Sequence, residues 1–384
     1  MRIGINLLYL IPGIVGGTET YGISLLNSLS IIDKRSEYYI FVNEESRCLP
    51  LPDAPNIHRI VCHFHARYRI VRYLWEQVIL PLQLCYHRID LVHSLGYVGP
   101  LKCHCKSLVT IPDLNFIKIK DMLPNLKQRA LEYFTINSAR RAAFVITISY
   151  NSKKEIIEYL GVPPQKVIVT HLGAGWTPMA LPKGACDSIL NKYSLVYPFV
   201  VAFGGSSAHK NITKMIEAFL IACRQMPHRL VLLGHLSPDV ILKIRSLDPD
   251  LAKRIITLGY VPKEHIVPIL SLADLFVLPS LYEGFGMTVL EAQSAGVAVA
   301  CSTSGSLLEV GGEGAAYFDP LRVDDMAQVM HRCLTDKLLC TKLVELGRRN
   351  FSLFSWDKTA QMTLEVYNKV FDTEADVKNP MGSV

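Results

Sequence analysis

At 384 residues the chain is long enough for two domains, because single hydrophobic cores stop growing at about 250–300 residues. Half of the residues are hydrophobic and 19% are charged, a composition that excludes an intrinsically disordered protein. No stretch of about 18 apolar residues is free of charges and breakers, so no segment is expected to span a bilayer.

The basic residues are concentrated in the first half of the chain. Between Arg59 and Arg141 there are 13 Lys and Arg against 5 Asp and Glu, a net charge of +8, whereas the whole chain carries +6. This excess favours an anionic partner, either a membrane surface or a phosphate-bearing acceptor, and a merely solvated surface remains the alternative. No nucleic-acid-binding motif accompanies the charge, so nucleic acid is not expected as a partner.

The chain opens with an apolar segment that Asn6 and Pro12 interrupt and that no small-residue cleavage site follows. We therefore interpret Ile3–Leu10 as a buried strand and not as a signal peptide, and expect a cytoplasmic protein. The ten cysteines have no framework spacing and are expected to be reduced. Cys103-His104-Cys105, with Cys62 and two histidines nearby, lacks a C-x-x-C pair, so no metal site is predicted.

Apolar strand-like runs alternate with amphipathic helical stretches throughout the first half. The predicted strands are Ile3–Leu10, Tyr39–Val42, Leu91–His93, Ser107–Ile111 and Phe144–Ile148, and the predicted helices are Glu19–Leu29, Leu126–Ala142 and Ser152–Leu160. The segment Gly173–Gly184 is rich in Gly and Pro and is interpreted as a linker.

The second half repeats the alternation. Its predicted strands are Phe199–Phe203, Arg229–Leu233, Ile255–Leu258, Leu275–Leu278 and Val297–Cys301, and its predicted helices are Lys214–Arg224, Lys263–Ser271, Met287–Ala295 and Val323–Lys337. A last helix, from about Asp357 to Val370, precedes a polar tail that is expected to fray.

The alternation predicts an α/β protein of two facing, doubly wound, Rossmann-like domains with a cleft between them. The domains are predicted at residues 1–175 and 176–356. Residues 357–372 are expected to form a helix that packs back on the first domain, and residues 373–384 to form the tail. Ligands of such sheets bind beyond the carboxyl ends of the strands.

Two glycine-rich turns precede helices in this arrangement. Gly16 and Gly17 lie between the first strand and the first helix, where backbone N–H groups could approach a phosphate, although such a pair can also be a simple turn. In the second half, a turn containing Gly205 leads to Lys210 and Asn211 at the start of a helix. A cation beside N–H donors suits a pyrophosphate; the alternative is a solvated region capped by Asn211.

A third segment, Leu278–Ala292, runs from a strand through a loop into a helix and carries Glu283 and Glu291. Glu283 is predicted just outside the helix and Glu291 about one turn inside it. Carboxylates accept hydrogen bonds from sugar and ribose hydroxyls. Backbone N–H groups of the stretch from Gly284 through Phe285 and Gly286 to Met287 are available for the anionic end of a donor, so this segment is the most specific of the three.

In these segments the chain resembles the retaining glycosyltransferases of family 4, which have the GT-B fold and include many polysaccharide mannosyltransferases. Their E-x7-E motif matches Glu283 and Glu291. The likeness covers some 350 residues and is densest at about 200–320. It extends to Leu258–Pro262, Ser271–Asp274, Ala295-Gly296, Val145–Ser149, Ser152–Glu155 and Phe354–Trp356.

The resemblance implies a role for each matching position. Glu291 is expected to hold the ribose hydroxyls, Glu283 to hold the transferred sugar with the N–H groups of Phe285 and Gly286, and Lys210 to neutralise the leaving diphosphate. The resemblance also implies that Gly17 lets a loop close over that diphosphate and that the backbone near Tyr260 and Val261 meets the base. No metal is expected, because Lys210 and the helix dipoles would take its role.

Two positions depart from the family pattern. The family usually carries an Arg a few residues before the Lys, and here Gly204–His209 contains none, so Lys210 carries more of the charge or His209 assists. Many relatives have His-Asp where this chain has Pro112-Asp113, which removes a contact to the donor sugar. Asp113 is either an acceptor-side carboxylate with a catalytic role or a helix cap.

The resulting hypothesis is a retaining hexosyltransferase, with mannose as the guess for the sugar. Its donor would be GDP-mannose or a UDP-sugar, and its acceptor a glycan or lipid-linked oligosaccharide of cell-surface polysaccharide synthesis, for instance O-antigen, at the cytosolic face of the membrane. A sugar-nucleotide 2-epimerase, a phosphorylase or a silent member of an assembly complex remain alternatives. A nicotinamide oxidoreductase is disfavoured, because neither glycine pair continues as a dinucleotide fingerprint.

Overall fold

The computed structural model describes residues 1–119, 125–175, 185–205 and 207–378. The chain divides into two compact units, one formed by residues 1–173 with the chain from Ser355 onward, the other by Ala174–Phe354. The sequence placed these divisions at 175 and 356. Residues 176–184 of the predicted linker and residues 379–384 of the predicted tail lie outside the described part of the chain.

The described part of the first unit is built on seven parallel strands. They are β1 (Arg2–Asn6), β2 (Glu37–Val42), β3 (Ile57–Val61), β4 (Leu91–Ser94), β5 (Lys106–Thr110), β6 (Phe144–Thr147) and β7 (Val167–Val169), in the order β3-β2-β1-β4-β5-β6-β7. The helices between them are α1 (Gly17–Ile32), α2 (Arg69–Leu74), α3 (Leu80–Tyr86), α4 (Asn115–Lys118), α5 (Asn125–Arg141) and α6 (Tyr150–Leu160). A π-helical segment, Trp75–Ile79, joins α2 to α3.

The first strand is shorter than its apolar run predicted. β1 ends at Asn6, whose side-chain Oδ1 accepts a hydrogen bond of 3.0 Å from the Leu8 N–H and so turns the chain away from the sheet. Leu7, Leu8 and Leu10 are nevertheless fully buried. The prediction of a strand at Ile3–Leu10 was therefore wrong at its end, because the residues after Asn6 are buried without being part of the strand.

The second unit contains a six-stranded parallel sheet within the described residues. Its strands are β8 (Phe199–Phe203), β9 (Arg229–Leu233), β10 (Ile255–Gly259), β11 (Leu275–Leu278), β12 (Val299–Ser302) and β13 (Ala316–Phe318), in the order β10-β9-β8-β11-β12-β13. Its helices are α7 (Ala185–Tyr193), α8 (Ile212–Ala222), α9 (Pro238–Arg245), α10 (Pro249–Ala252), α11 (Lys263–Leu272), α12 (Met287–Ala295), α13 (Leu307–Gly311), α14 (Val323–Thr335) and α15 (Lys337–Phe351).

Both faces of the second sheet are covered, as the near-continuous apolar strands require. Val200, Leu230 and Phe318 pack in a core with α8 and α14 on one side, while Phe199 and Phe276 pack in another core on the opposite side. The predicted doubly wound class is confirmed for both units. The sequence missed the edge strands β3, β7 and β13, whose short or mixed sequences carry little apolar signal. It also missed eight helices, most of them short: α2, α3, α4, α7, α9, α10, α13 and α15.

The last helix, α16 (Trp356–Lys378), packs on the first unit. Ser28 donates a 2.8 Å hydrogen bond to Asp357 Oδ1, and Thr359 Oγ1 donates one of 2.6 Å to the His171 carbonyl. The helix continues through residues 373–378, where the sequence predicted a frayed tail. No helix in the described ranges has both the length and the apolar character that a bilayer crossing requires.

Candidate active site

Strand order brings two loops of the second unit together. β8 and β11 are neighbours in the parallel sheet, with Val200 paired to Leu275, so the loops that follow them leave from the same carboxyl edge. The loop after β8 ends in a 3-10 turn, Ala208–Lys210, and the loop after β11 leads into α12. Residues 73 positions apart in the sequence therefore meet at this edge.

Lys210 and Glu283 form an ion pair there. Lys210 Nζ lies 2.7 Å from Glu283 Oε1, and the Ser280 hydroxyl donates a second hydrogen bond of 2.7 Å to the same oxygen. The two charged side chains are 30% and 16% exposed, so the pair faces solvent only in part. An ammonium has three donors, so Lys210 can bond a carboxylate and a phosphate oxygen together.

The Lys210 turn is anchored by its neighbours. Asn211 has a left-handed backbone, with φ of 56°, and its Nδ2 donates hydrogen bonds to the carbonyls of Pro279 at 3.1 Å and Pro320 at 2.8 Å. The Leu281 N–H donates to the His209 carbonyl at 2.7 Å. Asn211 is the N-cap residue of α8, as the alternative interpretation predicted, but its side chain makes no cap bond and instead ties this turn to the segments that follow β11 and β13.

Gly205 allows the turn to fold tightly against the Lys210 side chain. A Cβ at Gly205 would lie 2.7 Å from Lys210 Cγ, well inside van der Waals contact. The predicted role of this glycine was backbone contact with the donor. The structure gives it a further reason to be small, because any side chain at Gly205 would displace the Lys210 stem.

His209 does not supply a second positive charge. Burial lowers its pKa below the ordinary value, and the neighbouring Lys210 ammonium lowers it further, while Glu283 acts in the opposite direction. His209 is therefore neutral at pH 7 and can contribute only a hydrogen bond. That His209 assists Lys210, through such a bond, stays a prediction.

A third loop, which follows β12, supports Glu283 from behind. Ser306 Oγ donates hydrogen bonds to the carbonyls of Glu283 at 3.1 Å and Phe285 at 2.7 Å. Gly305 has φ of +61°, and a Cβ there would lie 2.3 Å from the Glu283 carbonyl oxygen. Ser302 Oγ donates to the Ser280 carbonyl at 2.6 Å. This support was not predicted; the feature of the sequence that could have indicated it is a Ser- and Gly-rich stretch directly after a buried strand.

Helix α12 begins at Met287, as predicted. Gly286 occupies its N-cap with φ of 98°, a conformation that side chains rarely adopt, and a Cβ there would lie 2.5 Å from Leu307 Cδ2. The Phe285 side chain is buried and contacts the Phe354 ring edge-on at 6.0 Å. The Phe285 side chain is therefore directed into the protein, and Gly286 lies at the positive end of the α12 dipole.

Glu291 lies about one turn into α12 and is only 6% exposed. Burial raises its pKa to about 8, against the smaller opposing effects of a hydrogen bond from the Gly175 N–H and the positive charge of Lys263. The side chain is therefore mostly protonated at pH 7. A neutral carboxyl can both donate and accept a hydrogen bond, which suits the vicinal hydroxyls of a ribose.

Tyr260 and Val261, predicted to meet the base, follow β10 at the same edge, two strands away from β8. β10 ends at Gly259, whose φ is +62° and whose carbonyl accepts a 2.6 Å hydrogen bond from the Gly234 N–H. The Tyr260 side chain is exposed and that of Val261 is buried. The turn thus presents backbone and one aromatic ring.

The remaining predicted residues belong to the first unit. Gly16 forms the N-cap of α1 with φ of 60° and Gly17 is the first helical residue, while the nearby Gly13 N–H donates a 2.8 Å hydrogen bond to Glu19 Oε2. Asp113 Oδ1 accepts hydrogen bonds from the Tyr97 hydroxyl at 3.0 Å and from the Asn115 N–H at 3.1 Å. The second bond holds the start of α4.

Metal ligands are not gathered anywhere in the ranges that the structure describes: no three His, Cys, Asp or Glu side chains lie together. All ten cysteines are free thiols. Cys103 Sγ donates to the Cys105 carbonyl at 3.2 Å, which accounts for part of the Cys-His-Cys triplet.

Two family models match the chain. Residues 15–174 match the model described as Glycosyltransferase Family 4, and residues 195–350 match the model described as Glycosyl transferases group 1. O-antigen chain mannosyltransferase B of Escherichia coli is 27% identical over 275 residues, which are 68% of this chain and 70% of the relative. The serotype-specific mannosyltransferase WbdA of Escherichia coli is 28% identical over 243 residues, 62% of this chain but 30% of that longer protein.

Solved structures with the same fold cover almost the whole chain. Sucrose-phosphate synthase of Thermosynechococcus elongatus aligns with a TM-score of 0.77 and 17% identity, over 97% of this chain and 100% of the other. HepE of Anabaena, in complex with UDP and glucose, aligns with a TM-score of 0.73 and 18% identity, over 96% of this chain and 100% of the other.

Proposed function

The chain belongs to the group 1 glycosyltransferases of family 4 and has their GT-B fold of two Rossmann-like domains, and on this basis we propose that it transfers a mannose-type hexose, with retention, from a nucleotide sugar to a growing polysaccharide. The preferred donor is GDP-mannose, because the similar Escherichia coli proteins are named mannosyltransferases. A UDP-sugar is the second choice. The acceptor is a glycan or a lipid-linked oligosaccharide at the cytosolic face of the membrane.

One observation carries the proposal: a partly shielded ammonium, a carboxylate and a helix N-terminus share one sheet edge. Sugar transfer breaks the bond between C1 and the diphosphate oxygen, so negative charge grows on the departing diphosphate. Stabilising that charge is the largest catalytic term expected in such a site. Lys210 supplies the positive charge that stabilises the diphosphate, Glu283 orients the sugar hydroxyls, and Glu291 holds the ribose.

Retention is supported by the state of the two acidic side chains. Glu283 is bonded to Lys210 and Ser280, and Glu291 is buried with a raised pKa of about 8. Neither is placed as a charged, free nucleophile for C1. We therefore favour attack by the acceptor hydroxyl on the face that the diphosphate leaves, with the hydroxyl proton passing to the departing diphosphate oxygen. No metal ion is needed in this scheme, since Lys210 and α12 oppose the growing charge.

Asp113 and the turn at Gly16-Gly17 retain the roles that the resemblance implied, on the acceptor side and in closing over the diphosphate. The hydrogen bond from Asn115 to Asp113 also supports the cap interpretation. Asp113→Asn tests the choice, since it keeps the acceptor for that bond but removes the charge. A catalytic or acceptor-binding carboxylate predicts a fall in kcat/KM, whereas a cap predicts nearly normal transfer.

The test is a transfer assay preceded by a donor screen. Thermal shifts with GDP-mannose and with UDP-, ADP- and dTDP-sugars identify the nucleotide, since a ligand that binds only the folded state raises the melting temperature. The best donor is then incubated with lipid-diphosphate-linked glycans, and NMR identifies the anomer of the product. An inverted anomer overturns retention. Isomerised donor without acceptor identifies an epimerase, and donor binding without turnover on any acceptor identifies a silent assembly component.

A further inference from the structure

A long helical run on the first unit exposes apolar side chains along one face. Residues 69–86 form α2, the π-helical segment and α3 without interruption. The side chains that face the core recur every four residues: Glu76, Leu80 and Leu84 are each 1% exposed or less. This face anchors the run to the sheet.

The opposite face has the same period but is also apolar. Leu74, Val78, Leu82 and Tyr86 are 60%, 54%, 64% and 83% exposed. They lie two residues from the buried set, which places them on the far side of the helix, in a row about 18 Å long. We call these four residues the apolar row. A helix that only covers a sheet normally carries polar side chains there.

Within the segment from Arg67 to Arg88 the exposed charged side chains are all positive, while the Glu45 carboxylate accepts a hydrogen bond from the Ala66 N–H next to the beginning of this segment. Arg67 and Arg69 are exposed at the beginning of the apolar row and Arg88 is exposed just after its end, while Glu76, the single carboxylate between Arg67 and Arg88, is buried. Tyr68, 56% exposed, lies between the first two arginines. Tyrosines near both ends of an apolar face, with arginines beside them, are typical of a helix at a membrane–water interface.

Helix α5 extends this basic surface. The Tyr73 ring stacks on the Phe134 ring at 4.6 Å, so α5 lies beside α2. Lys127 and Arg129 of α5 are exposed, as is Tyr133 one turn further on. Part of the positive charge between Arg59 and Arg141 thus lies on the two helices that carry these exposed apolar side chains.

We propose that the apolar row and its flanking arginines are a docking surface for an anionic lipid bilayer, into which Leu74, Val78 and Leu82 insert at the level of the headgroups. Apolar side chains supply the insertion, and the arginines supply attraction to anionic headgroups. A protein partner would need acidic groups to match the arginines, whereas an anionic bilayer provides both chemistries over any area. The surface does not depend on the transfer activity proposed above, and it gives the basic half of the chain its partner.

The experiment is co-sedimentation of the full chain with vesicles of phosphatidylcholine containing about 30% phosphatidylglycerol, compared with phosphatidylcholine alone. Leu82→Glu is expected to lower the partition coefficient by about 10–100-fold, because it removes a leucine that would insert into the bilayer and adds a negative charge. The matched control is Leu242→Glu on α9, since Leu242 is 61% exposed against 64% for Leu82. It should bind as the wild type does. Raising salt from about 50 to about 500 mM should weaken binding.

A second variant separates insertion from surface attraction. Leu82→Trp keeps the apolar character, so it should fold and bind, and brominated lipids should quench its added fluorescence, unlike that of Leu242→Trp. Equal vesicle binding by Leu82→Glu and wild type overturns the proposal. The proposal is also overturned if the wild type does not bind vesicles and instead forms a dimer without lipid that Leu82→Glu dissociates. In that case a second copy of the chain occupies the surface.

The outcome can be told apart from failure of the proposed function. Lys210→Ala should bind vesicles as the wild type does, and Leu82→Glu should turn over a water-soluble acceptor analogue at the wild-type rate. Vesicle binding without transfer by the wild-type chain would refute the function and leave the docking surface intact.

Discussion

Replacing Lys210 by alanine tests the charge that the proposed mechanism needs most. The substitution removes the ammonium that lies 2.7 Å from Glu283 Oε1 and with it the cation available to the leaving diphosphate. Lys210→Met retains most of the aliphatic stem next to Gly205, so comparison of the two variants separates the charge from packing.

The size of the effect follows from the exposure of the pair. With side chains 30% and 16% exposed, Lys210 acts in a medium less screening than water, and its effect on a charge that grows during the reaction is correspondingly larger. Removing one group that stabilises such a charge costs about 3 kcal/mol, which is about 10²–10³ in kcat. Both variants should show this loss. The free energy of unfolding should change by only about 1 kcal/mol, because Ser280 still bonds Glu283.

The matched control is Lys243→Ala. Lys243 Nζ lies 2.6 Å from Glu217 Oε1, and these side chains are 31% and 39% exposed, so the pair has similar geometry away from the site. Its removal should change stability by a similar amount and leave kcat unaltered. Steady-state release of nucleoside diphosphate measures kcat, and urea unfolding measures stability. Activity of Lys210→Met within a few-fold of wild type would refute the charge-stabilising role, as would an equal loss in Lys243→Ala.

Three further predictions concern the supports of the site and of the core. Gly305→Ala should lower activity and should lower the melting temperature more than Gly259→Ala does. Both glycines have φ near +60°, but only at Gly305 does the added Cβ come within 3 Å of a backbone atom of Glu283. Thermal melts of the two variants measure the difference. The pKa of Glu291 is about 8 in the folded state and about 4.5 in the unfolded state, so between these pH values the folded state binds more protons. The free energy of unfolding therefore falls as pH rises from about 4.5 to about 8. Glu291→Gln should make this fall smaller, as measured by urea unfolding at several pH values. Burial lowers the pKa of His93 from 6.5 to about 3, so its contribution to the free energy of unfolding is present above pH 6.5 and is lost as pH falls. His93→Ala should lower the free energy of unfolding by about 2–4 kcal/mol at pH 7 and by less at pH 5. The same loss at both pH values would contradict this reasoning.

The His93 case shows what the sequence could not supply. The sequence predicted a buried strand at Leu91–His93, and the strand is there, but the partners of His93 come from distant segments. Its ring nitrogens lie 2.8 Å from the Tyr367 hydroxyl and 2.8 Å from Thr110 Oγ1, and Thr110 Oγ1 lies 3.1 Å from the Tyr21 hydroxyl. Tyr367 is in α16, 274 positions along the chain, and no local pattern predicts such a pairing.

Elements with strong periodicity were predictable to within a few residues, including the edge strand β10, whereas the other edge strands were not. β8, β9, β11 and α12 begin and end where their apolar runs and flanking glycines predicted. β3, at the edge of its sheet, has the sequence IHRIV and is only partly buried, so alternation gives no clear signal. The helical run at 69–86 was missed for a related reason: apolar side chains on both of its faces erase the contrast that marks an amphipathic helix.

The site was predictable where chemistry is local and unpredictable where it is supported from elsewhere. Glu283, Gly286 and Glu291 follow one another in a single strand–loop–helix segment, so their spacing alone indicates their arrangement. Ser306 reaches the same loop from the next crossover. A serine in a polar loop has too many ordinary explanations for a sequence pattern to select it.

The juxtaposition of Lys210 with Glu283 has a topological cause. The second sheet grows outward from β8 through β9 to β10, and the chain then returns to place β11 on the other side of β8. The loops after β8 and β11 therefore depart toward opposite faces and leave a crevice between them, which is where open α/β sheets bind ligands.

The first sheet repeats this order, with β1 between β2 and β4, and the turn at Gly16-Gly17 follows β1 as the turn at Gly204-Gly205 follows β8. A glycine pair after the first strand of each unit thus marks the position where the strand order reverses, and that shared position, more than either pair alone, favours ligand contact over a simple turn. Gly17→Val should then raise KM for the donor. The melting temperature should fall by no more than a few degrees, because Gly17 is the first residue of α1 and a valine can adopt its helical backbone. A large loss of stability with unchanged KM would show that the glycine pair has a purely structural role.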